Sequence, residues 1–214
     1  MSSDQDFSVT VEKEMGLPHN YAAIIRDAAD PSIKSSDNLS DKLRSGVFLM
    51  ATKLIKYWVD KRNSNCFMLF PKSLSIIWSD DPTYWTWSQN KETTVDEAEL
   101  KNVCWLDISG KFDTKNLTPG ITYEVVFQVK IVDPAYGWET PVNVKLVFPN
   151  GEQEHKVSLR DIPRHQWVDI RVGEFKPEKN SAGEITFSMY EHETGVWKKG
   201  LVLKSVAIRP KYGI

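Results

Sequence analysis

The sequence predicts an all-β fold, an antiparallel two-sheet β-sandwich of jelly-roll type, preceded by a short helical N-terminal extension. Three observations lead there. The hydrophobic period changes at Gly46, from helical spacing before it to short β-rich runs after it. Those runs recur to the end of the chain, with turn residues between them. The chain has 214 residues, 41% hydrophobic and 26% charged, which suits one soluble domain with an extension.

Residues 1–16 are polar and are expected to be mobile. Leu17-Pro18-His19-Asn20 leads into Tyr21, Ile24, Ile25 and Ala28, apolar at i, i+3, i+4 and i+7. That spacing predicts an amphipathic helix, ended by Asp30-Pro31. A second short helix is predicted from Asp37 to Arg44, with Leu39 and Leu43 one turn apart and Gly46 as its stop. The chain thus divides into an extension, 1–46, and a β domain, 47–214. The first β-rich run is Val47–Met50. A hairpin follows, 57–59 and 66–70, around the polar turn Asp60–Asn65. Further strands are predicted at 73–79, 84–88, 103–112, 122–132, 142–148, 154–159, 166–171, 183–191 and 201–209. Thr118-Pro119-Gly120, Pro149-Asn150-Gly151 and Glu193-Thr194-Gly195 supply turns. Residues 92–101, with Glu92, Glu97 and Glu99, read as an exposed connection.

Several function classes lose support at this level. The net charge of -2 lacks the basic excess that phosphate backbones select. No apolar run is long enough for a membrane helix, and the N-terminus lacks a charged-then-apolar leader, so a cytoplasmic protein without a signal peptide is expected. The Asn116-Leu117-Thr118 sequon is discounted on that basis. Cys66 and Cys104 form no CxxC pair and have no His at ligand spacing; reduced thiols, no metal and no cofactor are expected. No nucleophile elbow, P-loop or His-Glu-x-x-His is present, and His19, His155, His165 and His192 sit in polar contexts. A glycosidase needs only two carboxylates, for which Glu184 and Glu191 are candidates. With 29 acidic residues such a pair arises by chance, so no catalytic residue is assigned and a non-enzyme is expected.

The eight Trp are roughly three times an ordinary complement. Aromatic rings stack on the apolar face of a sugar while polar neighbours read its hydroxyl and acetamide groups. In Trp78-Ser-Asp-Asp-Pro82-Thr-Tyr84-Trp85-Thr-Trp87 a strand ends, turns and re-enters, placing Trp78, Tyr84 and Trp85 around one loop mouth. Trp85 and Trp87 share one side of a regular strand and Tyr84 takes the other. Glu184 and Glu191 have opposite parity on the strand 183–191, so only one can face solvent. Glu191 lies at the strand end beside the loop to Trp197 and Lys198, which complete the candidate set. Trp58, Trp105 and Trp167 are assigned to packing, Trp87 to a rim, and Trp138 fits either role.

The motifs Ser75-Ile-Ile-Trp78, Pro82-Thr-Tyr84-Trp85-Thr-Trp87, Val103-Cys-Trp-Leu-Asp-Ile-Ser-Gly-Lys111, Trp197-Lys-Lys-Gly200 and Ala207-Ile-Arg-Pro210 together resemble phloem protein 2 of flowering plants. The tobacco jasmonate-induced lectin shares the same domain. The Met15–Tyr21 segment is similar to the extension of cucurbit phloem lectins. The resemblance implies a lectin that binds N-acetylglucosamine oligomers such as chitin fragments. It also implies a homodimer located in companion cells and sieve elements. Phloem filament proteins and RNA are the further partners it implies, and an RNA-binding or filament-associated structural protein is the alternative reading. By motif match it assigns sugar binding to Trp78, Trp85, Glu184 and Glu191. The chain ends without the terminal cysteines of filament-linked members.

Overall fold

A computed structural model describes residues 16–50, 54–180 and 182–213; residues 1–15, most of the stretch expected to be mobile, lie outside it. The extension forms a one-turn helix α1 (Tyr21–Ile24), 3-10 turns at Ile25–Asp27 and Pro31–Ser35, and helix α2 (Leu39–Ser45). The helix predicted over 21–29 stops early for two reasons. Asn20 is left-handed and its side chain caps nothing. Ala28 and Ala29 leave the helix to pair with the first strand, Ala29 N–H donating to the Phe48 carbonyl at 2.8 Å. Asp30 starts the next turn by accepting from Ser32 N–H at 2.9 Å, with Pro31 just inside.

The strands are β1 (Val47–Leu49), β2 (Ile55–Val59), β3 (Asn65–Leu69), β4 (Ser75–Ile76), β5 (Trp85–Gln89), β6 (Asp96–Leu100) and β7 (Leu106–Asp113), followed by β8 (Tyr123–Tyr136), β9 (Val142–Phe148), β10 (Gly151–Val157), β11 (Val168–Phe175), β12 (Glu184–Glu191) and β13 (Lys199–Pro210). They build two antiparallel sheets, as expected. The flatter one runs β10-β9-β12-β7-β4. In the curled one, β13 pairs with β8 along one edge, and β8 with β11. The other edge of β13 is shared: Val202 and Leu203 meet β6, while Val206, Ala207 and Ile208 meet β3. A register shift between Leu203 and Ser205 separates the two halves and bends the strand between its partners.

Two stretches depart most from the expectation. The stretch 92–101 is no loose connection, because Asp96–Leu100 is β6, with Ala98 and Leu100 buried. Its acidic residues Glu97 and Glu99 occupy the alternate, outward positions, which masks the strand in composition. The run 73–79 shortens to two paired residues, since Pro71 opens a 3-10 turn before it and Trp78 turns left-handed after it. Phe67, Phe112, Phe127 and Phe187 fill the space between the sheets, joined by Trp85 and Trp138.

The extension is pinned to the sandwich through Asn65, which is fully buried. Its side chain accepts from the Tyr57 hydroxyl at 2.7 Å and donates to the carbonyls of His19 (2.6 Å) and Asn116 (2.8 Å). Its own carbonyl accepts from the Tyr123 hydroxyl at 2.7 Å. Ile24, Ile25, Ile33 and Leu43 of the extension are buried in the same core as the strands.

Candidate functional site

One end of the sandwich gathers the close of β12, the openings of β7 and β13, and the loop from β4 to β5. Ser75 and Ile76 pair with Ser109 and Ile108, and the Ile77 amide donates to the Asp107 carbonyl at 3.0 Å before the chain turns at Trp78; Leu106, next along β7, pairs with Glu191. Trp105 immediately precedes β7, and its indole lies parallel to the His192 imidazole at 4.2 Å and 10°. His192 follows Glu191 and also stacks on Tyr190 at 5.3 Å. Val103 and Lys198 exchange backbone hydrogen bonds of 3.1 and 2.8 Å, which brings Trp197 beside the Trp105 strand. Trp78, Trp105 and Trp197 are 44%, 43% and 49% exposed, a high value for so large an apolar ring.

Trp78 holds φ at 63° without being glycine. A left-handed bulky residue costs on the order of 1–3 kcal/mol and persists only where its surroundings fix it. Here the loop is tied by Asp81 N–H to the Trp78 carbonyl (3.2 Å), Tyr84 N–H to the Asp81 carbonyl (3.0 Å) and Thr83 N–H to the Asp81 side chain (2.8 Å). The Trp78 ring leans on Tyr84 at 4.9 Å. The result is an indole turned outward on a braced loop.

Beneath the rings lies a buried ion pair. Lys198 is 0% and Glu191 3% exposed, with Nζ to Oε2 at 3.2 Å. The Lys198 ammonium also donates to the Val196 carbonyl at 2.7 Å. The other Glu191 oxygen accepts from the Thr194 amide at 3.3 Å and from the Thr194 hydroxyl. Burial works to raise the Glu191 carboxyl, but the hydrogen bonds from Thr194 and Lys198, with the lysine charge, outweigh it and hold the group below its ordinary value. Asp107 is raised by burial, opposed by the nearby His192. The Tyr190 phenol is pushed up to about 12, first by its hydrogen bond to Glu154 and then by burial. Among the described residues, no three His, Cys, Asp or Glu side chains converge to hold a metal ion.

Residues 64–210 match the family described as phloem protein 2. This chain belongs to that family. It is 70% identical over 200 residues to protein phloem protein 2-like A1 of Arabidopsis thaliana, covering 91% of this chain and 81% of the relative. A protein named lectin from Luffa acutangula is 42% identical over 205 residues, 92% of this chain and 97% of that protein. Another named lectin, from Coccinia grandis, is 34% identical over 153 residues, covering 70% of this chain and 97% of its own length.

Within this chain the sequence-derived site residues scatter. Trp78 and Trp197 sit at the aromatic end with exposed rings. Trp85 does not join them. It opens β5 facing inward opposite Leu100 and is 1% exposed, so its ring packs the core. Its indole N–H is buried with no hydrogen-bond partner among the described residues. Trp87 shares its side, as parity requires, and donates to the Ser79 carbonyl at 3.0 Å. Glu184 lies at the far end of β12, opposite Asp113, exposed and 4.0 Å from Lys111. The rise along β12 puts it about 24 Å from Glu191, far outside the 5–10 Å of a glycosidase pair. Glu191 and Lys198 reach the right end but lie under its surface.

Sequence reasoning placed Trp105 in the core, and it is exposed. Leu106 and Ile108 are the inward residues of β7, so Trp105 and Asp107 have the outward parity; that alternation was the available signal. Trp138 is core, its indole donating to the Lys199 carbonyl at 2.9 Å. Trp167, assigned to packing, is partly exposed on the curled sheet, with Lys130 and Lys204 ammonium groups 4.4 and 5.4 Å from its ring centre.

Proposed function

We propose that this protein is a non-enzymatic lectin that binds N-acetylglucosamine oligomers at its aromatic end. The observation that carries this reading is the grouping of three exposed indoles, Trp78, Trp105 and Trp197, with His192 on adjoining strand ends. Several exposed rings at one end of the sandwich suit a chain of sugars, each presenting an apolar face. Asp107, close enough to His192 to feel its charge, can read hydroxyl and acetamide groups. Relatives that carry the name lectin support the same class. Each stacking contact contributes about 1 kcal/mol, so one sugar binds weakly and several bind better. Calorimetric titration with chitotriose tests it. Saturable heat, with affinity falling about tenfold in Trp105→Ala, is the expected result; no heat with the wild type overturns the reading.

A second reading, RNA binding, is favoured by Trp167 between Lys130 and Lys204. Gel shift over a salt series decides it, because phosphate contacts weaken steeply as salt rises. Loss of any shift in the Lys130→Ala, Lys204→Ala double variant supports that reading, and an unchanged shift removes it.

A further inference from the structure

We propose that Glu191 and Lys198 are positioning residues, a buried lock that fixes the 192–197 loop and the rings at its ends, and that neither touches the ligand. The inference rests on the carbohydrate reading for its functional consequence, though not for its geometry.

Both groups are sealed off. The Glu191 carboxylate accepts from Lys198, the Thr194 amide and the Thr194 hydroxyl, and the Lys198 ammonium donates to Glu191 and the Val196 carbonyl. A sugar hydroxyl reaching that carboxylate has to enter a site that is only 3% exposed and crowded by these donors, and removing Lys198 strands a buried charge. Direct contact is therefore the costlier arrangement.

The lock sits where ring positions are decided. His192, next to Glu191, stacks on Trp105, and Trp197 is next to Lys198. The backbone exchange between Lys198 and Val103 couples the same point to the strand carrying Trp105. Two further supports press from below. The Trp138 indole holds the Lys199 carbonyl, and Gly137, at φ 90°, leaves room that a side chain would remove, since a Cβ there would lie 2.1 Å from the Trp197 carbonyl oxygen. Three rings thus take their relative places from one buried pair.

The test labels the full chain with 5-fluorotryptophan and assigns each resonance by single Trp→Phe substitution. Lys198→Met and Glu191→Gln are compared with the wild type, free and with chitotriose. In the free protein the lock predicts that both variants shift or broaden the Trp105 and Trp197 signals and leave Trp167, which precedes β11, in place. Both should bind chitotriose at least about tenfold more weakly, as expected when one partner of a buried pair is left alone. Thr194→Val, which keeps the pair and removes one hydroxyl, is the variant to use if the others fail to fold; it should move the same two signals and weaken binding about two- to fivefold. Unmoved Trp105 and Trp197 signals in a folded variant overturn the lock. So does a Lys198→Met protein that binds like the wild type while Glu191→Gln does not, which marks Glu191 as a contact. If the wild type itself ignores chitotriose, the lectin reading fails, and the resonances of the free protein still decide the lock.

Discussion

The His192 imidazole lies flat against the Trp105 indole, 4.2 Å between ring centres and 10° from parallel. This stack makes one broad face from two side chains that arrive on different strands. Trp105 precedes β7 and His192 follows β12, strands joined along their whole length from Glu184↔Asp113 to Glu191↔Leu106.

Trp105 and Trp85 should therefore behave as opposites. Trp105→Ala is expected to weaken chitotriose binding by about 1–1.5 kcal/mol, roughly tenfold, with thermal stability almost unchanged. Trp85→Ala removes a buried ring and should cost about 3–5 kcal/mol of stability. Calorimetric titration and thermal unfolding of both variants check the pair; the reverse pattern refutes the assignment.

Acid should separate Glu191 from ordinary carboxylates. Its folded-state pKa lies below the ordinary glutamate value, so folding favours the charged form. The stabilisation is complete above the unfolded value and is lost as pH falls through the folded value. The melting-temperature gap between wild type and Glu191→Gln should accordingly be widest near neutrality and narrow from about pH 5 towards pH 3. A gap independent of pH over that range contradicts the ion pair.

Glu184 should be nearly silent. Its nearest cation, Lys111, is 4.0 Å away and both side chains are mostly exposed. Glu184→Gln is expected to change stability by less than about 0.5 kcal/mol and chitotriose affinity not at all. A large affinity loss, measured in the same titration, would extend the ligand contact down the length of β12.

Gly137 combines φ 90° with contact under the Trp197 carbonyl. Gly137→Ala is expected to destabilise the protein by about 2 kcal/mol and to weaken sugar binding, because the Trp197 strand end must lift. Unfolding in denaturant and titration of the same sample measure the two effects; an unaltered Tm and affinity would show that the approach is not tight.

Much of this was legible in the sequence, and what was missed has a common cause. Alternation named β9 to the residue and β12 to within one, because Val142, Val144 and Leu146, and Ile185, Phe187 and Met189, keep strict inward parity. It also set Glu184 and Glu191 on opposite faces, correctly. Parity cannot tell which face is inward until the sheet partner is known. Trp85 faces the core because β5 joins β6 in the curled sheet, a pairing with no local signature. Nor does a Trp carry any mark of a left-handed φ, and a lysine gives no sign that it will be buried, as Lys198 is. The site lies where strand ends from distant parts of the chain meet, so its membership follows from topology rather than from any one motif.

Asn65 has one more consequence, for where the chain can be cut. Its amide donors end on His19 and Asn116, and Ile24, Ile25, Ile33 and Leu43 belong to the shared core. A protease that removes everything before Val47 takes away one acceptor of a buried amide and strips those four side chains from the strands beneath. Limited digestion should thus yield no stable fragment that begins at Val47, the helices being retained as part of one cooperative body.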